Sequence, residues 1–131
     1  MATEFKRSVY ANIQDDAIGH ANSKIYQAGA HTDSVIIGLL LTNTSGSSIT
    51  ADVAIVPEDG TEGKLGDTNT QATTYLIKGA QIPVGSALEI ISGKVVIANT
   101  SATATDGDIL CIRASADDVM DATLSVLENT P

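Results

Sequence analysis

The feature that most constrains this chain is a run of seven residues without a polar side chain, residues 35–41, followed at once by the turn-forming run 43–48. Seven apolar residues bounded by breakers are too few for a typical helix and favour a strand buried on both faces. Residues 49–56 then alternate, with Val53 on the apolar face and Thr50 on the polar one. The pattern predicts a β-hairpin whose second strand packs against another layer through its apolar face.

Short strands separated by turn clusters are predicted along the rest of the chain as well. They are residues 5–13, 24–28, 73–78, 87–91, 94–98, 109–114 and 122–127. The two-residue Ser92-Gly93 link predicts a tight hairpin between the fourth and fifth of these segments. No segment shows a helical period, so we predict one all-β domain over residues 1–131, an antiparallel β-sandwich that is jelly-roll-like.

Two segments stand apart from this regular pattern. Residues 5–13 alternate between apolar and polar side chains, and a polar, irregular connection follows, so residues 1–23 are expected to form an extended arm or an edge strand. Residues 58–70 are the longest stretch without periodicity and are rich in glycine and carboxylates. Such a loop is either a solvated insertion or a contact surface, since long loops on rigid sheets often carry contacts.

Composition excludes several classes of function. Seven basic residues against sixteen acidic ones give a net charge of −9, which repels nucleic-acid phosphates. One phenylalanine, three tyrosines and no tryptophan argue against a stacking platform for sugars or bases. The first residues lack a signal-peptide pattern, and no apolar run approaches the ~20 residues of a membrane span. We expect a protein made in the cytoplasm, without direct nucleic-acid or membrane contact.

No spacing in the chain indicates catalysis or metal binding. His20, His31 and Cys111 fall into no HxH, CxxC or HExxH pattern, and no GxSxG elbow is present. We interpret Cys111 as a small buried hydrophobic residue. The acidic clusters, including Asp106-Gly107-Asp108, lack the ordered spacing of a calcium loop and are interpreted as solvated turns, although cation binding by the acidic loops stays open. We therefore expect no enzyme, no metal and no cofactor.

The chain contains one weak internal echo. Asn43-Thr44-Ser45 and Asn99-Thr100-Ser101 both end an apolar strand. Two copies of so short a segment indicate repeated turn chemistry rather than a duplication.

From residue 35 to residue 127 the order of pieces resembles small all-β virion proteins of tailed bacteriophages, found as capsid decoration or tail-associated proteins. The resemblance lies in residues 35–39 leading into 43–45, in residues 75–86, and in the closing residues 124–128. The acidic insertion at residues 58–70 and a longer stretch at residues 99–108 depart from it, which leaves open the surface that faces the virion.

The resemblance implies a structural role in the virion. The first expectation is a capsid decoration or cement protein that binds the major capsid protein or other virion proteins. The alternatives are a tail or neck component and a carbohydrate- or host-receptor-binding β-sandwich. We expect a homo-oligomer or repeated copies on a lattice, because weak interfaces repeated around a shell sum to strong attachment. The expected partner interface comprises Phe5, Arg7, Val9, Tyr10, Ile13, Glu58, Asp59, Glu62 and Lys64.

Overall fold

A computed structural model describes residues 2–57, 73–91, 94–99, 102–103 and 107–130. Within these ranges the chain forms nine strands and one 3-10 turn, Ala21–Ser23, with no α-helix. The strands are β1 (Ala2–Tyr10), β2 (Lys24–Gln27), β3 (Thr32–Asn43), β4 (Ile49–Val56), β5 (Thr74–Ile82), β6 (Ala87–Glu89), β7 (Val95–Asn99), β8 (Ile109–Ala114) and β9 (Met120–Thr130). Each predicted strand overlaps one of these, and β3, β5 and β9 are longer than predicted.

The strands form two antiparallel sheets that pack face to face, which confirms the predicted β-sandwich. The five-stranded sheet has the order β1-β9-β3-β6, and β7 also pairs with β3. Because β9 occupies one side of β3, both β6 and β7 lie along its other side, β7 opposite residues 32–36 and β6 opposite residues 40–42. The four-stranded sheet has the order β2-β8-β4-β5.

The strand pairs together define the topology of the sandwich. β1 pairs with β9, β2 with β8, β3 with β6 and β7, and β4 with β5. The chain is therefore one long antiparallel double strand rolled up into two sheets, which is the topology of a jelly roll. The expectation of a jelly-roll-like sandwich is confirmed.

Both predicted hairpins are wrong. β3 and β4 lie in different sheets, so residues 44–48 cross between layers instead of turning within one. The buried amide of Asn43 explains the crossing, since it donates hydrogen bonds to the carbonyls of Ser47 (2.7 Å) and Ile82 (3.0 Å) and so ties the connection to the end of β5. Likewise β6 and β7 each pair with β3 rather than with each other, and the Ser92-Gly93 link lies outside the described residues.

The core lies between the inner faces of the sheets. Ile36, Leu39 and Leu41 of β3 are fully buried there, whereas Ile37 and Leu40 are 39% and 40% exposed. The prediction that residues 35–41 are buried on both faces is therefore wrong, because nothing within the described residues covers the outer face of this sheet.

The predicted faces of β4 and the interpretation of Cys111 agree with the structure. Ile49 and Val53 are buried and Thr50 is exposed, as predicted. Ile55 is only half-buried. Cys111 is fully buried among the core strands, which confirms its interpretation as a small hydrophobic residue.

Candidate interaction surface

Strand β1 forms one edge of the five-stranded sheet and pairs along its whole length with β9. None of its described side chains is buried. Phe5 and Val9 are 78% and 65% exposed and, with Arg7, point to the outer side of the sandwich, while Lys6 and Ser8 point to the inner side. Three residues of the expected partner interface thus point outward from an edge strand.

The other two amino-terminal residues of the expected interface face inward. The Tyr10 hydroxyl donates a hydrogen bond to the Ile25 carbonyl of the other sheet. Ile13 is 5% exposed, belongs to the core, and donates its backbone N–H to the Met120 carbonyl at 2.8 Å. These two residues anchor the amino-terminal segment to the body. Glu58, Asp59, Glu62 and Lys64 lie outside the described residues.

A row of apolar side chains crosses the outer face of the five-stranded sheet. Phe5 is directly opposite Leu127, Leu127 is opposite Val35, and Val35 is opposite Val96. Directly opposed residues of an antiparallel pair point to the same side of the sheet, with Cβ atoms about 5 Å apart. The four side chains therefore form one continuous line across β1, β9, β3 and β7, which we call the apolar row.

Further apolar side chains surround the apolar row. The large hydrophobic residues that are exposed in the described structure are Phe5, Val9, Ile37, Leu40, Tyr75, Val84 and Val96. All but Tyr75 and Val84 belong to β1, β3 or β7, which are three of the strands of the five-stranded sheet. Exposed apolar side chains gathered on one face of a sheet mark an interaction surface more often than scattered ones do.

The outer face also contains a shallow depression and has acidic residues at its margin. Near Gly38, which lacks a side chain, a shallow depression of about 220 Å³ is lined by Leu40, Glu89, Thr123 and Ser125 among others. Asp33 is opposite Asn129 at one end of the sheet, and Asp121 is opposite Thr42 at the other. The apolar centre with a polar margin is the arrangement found in protein–protein interfaces.

A polar network links the two sheets behind β1. The Glu128 carboxylate of β9 accepts hydrogen bonds from Lys6 Nζ (2.8 Å) and from the Tyr26 hydroxyl of β2, which also lies 2.8 Å from Ser34 Oγ. Burial acts to raise the pKa of Glu128, but the hydrogen bonds from Lys6 and Tyr26 outweigh it and lower that pKa below its ordinary value. The hydrogen bond to Glu128 in turn raises the pKa of Lys6. Spacing in the sequence gave no sign of this network, since its members come from four different strands.

Acidic residues near the amino-terminal connection hold backbone groups. Asp121 accepts the N–H of Asn12 and Asp117 accepts the N–H of Asp15, both at 2.9 Å. Asp15 also binds Arg113 Nε at 2.8 Å, beside a polar depression of about 210 Å³ that Asp52 helps to line. No group of three or more histidine, cysteine or acidic side chains in the described part of the chain is arranged to hold a metal ion.

Comparisons with protein-family models, with curated proteins and with solved structures found no match to this chain. No helix among the described residues is long and apolar enough to cross a membrane.

Proposed function

We propose that this chain is a structural protein of a bacteriophage virion, a decoration or cement protein that binds the major capsid protein through the outer face of its five-stranded sheet. The observation that carries the proposal is the apolar row from Phe5 to Val96, together with the exposed Val9 and Leu40 beside it.

The physical argument concerns what this face gains from a partner. Val96 is 58% exposed and Phe5 78%, so covering them removes apolar surface from water and stabilises a complex by roughly 25 cal/mol per Å². A net charge of −9 keeps the free chain soluble in spite of this face. One such contact is modest, but many copies on a symmetric shell attach strongly. Jelly rolls serve many functions, so the proposal rests on the surface and not on the fold.

The test of the surface uses two valines of similar exposure on different parts of the molecule. Val96 lies in the apolar row and is 58% exposed, whereas Val84 lies in the turn after β5 and is 54% exposed. V96K should reduce co-sedimentation of the purified chain with phage capsids at least about tenfold, because it places a charge in the centre of the contact. V84K should have little effect. Equal binding by the two variants would contradict the proposal.

Localisation decides between positions in the virion. Gold-labelled antibody against the chain should decorate the capsid of intact particles at many sites. Label confined to the tail or neck would show that the chain is a tail or neck component and not a decoration protein. If the chain bound host cells or glycans but was absent from the particle by mass spectrometry, it would instead be a receptor- or carbohydrate-binding module.

A further inference from the structure

No described strand pairs with the outward edge of β1. The backbone groups that point to this edge can be identified from the hydrogen bonds at the start of β9. The Met120 carbonyl accepts the Ile13 N–H on the β1 side, at 2.8 Å, while the Val119 carbonyl accepts the Thr44 N–H on the β3 side, at 2.9 Å. Successive residues of a strand direct their N–H and C=O groups to opposite sides. Since β1 and β9 pair without a register shift, even-numbered residues of β9 bind β1 and odd-numbered ones bind β3.

The same alternation defines the free groups of β1. Phe5 is opposite Leu127, whose backbone groups are directed to β3, so the N–H and C=O of Phe5 point away from β9 to the open edge. Lys6 is opposite Val126 and directs its backbone N–H and C=O to β9. Thr3, Arg7 and Val9 behave like Phe5. The edge therefore offers evenly spaced donors and acceptors that another strand can use.

We propose that this edge pairs with the same edge of a second copy, antiparallel about a two-fold axis that passes beside Phe5. This inference rests on the proposed function, in which many copies act together, and deepens it by naming the contact between the copies of the expected homo-oligomer. Phe5 is then opposite Phe5 of the second copy, and the two residues exchange both backbone hydrogen bonds.

Charge selects this register among the neighbouring ones. With the axis at Phe5, Glu4 of each copy is opposite Lys6 of the other, so opposite charges meet twice. Moving the axis to Lys6 or to Arg7 would place two lysines or two arginines directly opposite each other, which is destabilising. Charged side chains on an edge strand normally discourage pairing, but in this pattern they favour one self-complementary register.

The register also extends the proposed capsid-binding face. Because Phe5 ends the apolar row at the sheet edge, pairing at Phe5 joins the rows of two copies into one line from Val96 of the first copy to Val96 of the second. The two five-stranded sheets become one continuous sheet, and its outer face presents twice the apolar surface to a shared partner.

Proline substitution tests the contact, because proline removes a backbone N–H. Both Phe5 and Val9 direct this group to the open edge, where proline is tolerated, so neither F5P nor V9P removes a hydrogen bond to β9. F5P removes the two central hydrogen bonds of the dimer, while V9P lies at its periphery. By sedimentation equilibrium F5P should weaken dimerisation of the purified chain at least about tenfold, and V9P less than about threefold.

Cysteine cross-linking tests the register. The Cα atoms of a hydrogen-bonded antiparallel pair are about 5.5 Å apart, within the ~4.4–6.8 Å that a disulfide spans. F5C should give a disulfide-linked dimer on mild oxidation, and R7C, whose sulfur would be opposite Thr3 of the second copy, should not. A monomeric wild-type chain, equal effects of F5P and V9P, or preferential cross-linking of R7C would each overturn the interface. Because these measurements use purified chain alone, they leave attachment to the capsid to be judged by V96K.

Discussion

At the scale of single residues, two asparagines make the same turn chemistry at the ends of two strands. Asn43 and Asn99 are 4% and 1% exposed, and each side-chain amide donates to the carbonyl four residues further on and to a carbonyl of another segment. The second acceptors are the carbonyls of Ile82 and Ala28, at 3.0 and 3.3 Å. The two asparagines therefore share the same turn chemistry, as predicted, while Thr100 and Ser101 lie outside the described residues.

Removing the Asn43 amide should be costly. N43A removes the side-chain donor of the buried Ile82 carbonyl and one of the two side-chain donors of the Ser47 carbonyl, which keeps the Ser45 hydroxyl. We expect a loss of about 2–4 kcal/mol in the free energy of unfolding, measured by urea denaturation. The adjacent Thr44 side chain is exposed, so T44A should change stability by less than about 0.5 kcal/mol. Similar losses in both variants would show that the amide does not hold the connection between the sheets.

The two faces of β4 give a second residue-scale prediction. Val53 is fully buried, so V53D places an unpaired carboxylate in the core and should cost about 3 kcal/mol or more. Thr50 is exposed on the same strand, and T50D should be mild. Thermal melting of the two variants makes the comparison, and equal melting temperatures would contradict the face assignment.

At the scale of elements, sequence patterns predicted the positions of the strands far better than their pairing. Local alternation and turn residues placed β4 and β8 at their observed positions because these signals are short-range. Pairing in this fold joins distant segments, such as β1 with β9, and no local pattern records it. The sequence also could not predict that no described residue covers the outer face, because an apolar side chain at Ile37 or Leu40 has the same sequence signature on a covered and on an exposed face.

Strand β1 should be separable from the rest of the domain. Its described side chains are not buried, whereas Ile13 beyond it is a core residue. Deleting residues 1–9 should therefore leave a strand-dominated circular dichroism spectrum and a cooperative melt. The free energy of unfolding should fall by about 2 kcal/mol, and dimerisation should be abolished. I13D, which keeps β1 but charges the core, should destabilise the domain more. A truncated chain that failed to fold would show that β1 is part of the stable body.

At the scale of the whole molecule, the Glu128 network joins the two sheets through a charge, and its contribution depends on pH. The pKa of Glu128 is lowered in the folded chain, because its hydrogen bonds with Lys6 and Tyr26 outweigh the effect of burial. A carboxyl group with a lowered folded pKa stabilises the fold above its unfolded pKa, near the ordinary 4.5, and loses that contribution as the pH falls through the folded value. Lys6, whose pKa is raised, contributes to stability in the opposite way. Its contribution is complete below pH 10.5 and is lost as the pH rises through the pKa of the folded chain.

The substitution E128Q isolates this dependence. Glutamine keeps the shape and a carbonyl acceptor for Tyr26 but removes the charge that binds Lys6. At neutral pH the variant should melt about 2–5 °C below the wild-type chain, and the difference should shrink as the pH falls through the lowered pKa of Glu128, where the wild-type carboxylate becomes protonated as well. Glu89, an exposed carboxylate on the outer face, is the matched control, and the gap between E89Q and the wild type should be small throughout. If the E128Q gap were the same at neutral and at acid pH, the junction between the sheets would depend on the hydrogen bond to Tyr26 and not on the charge of Glu128.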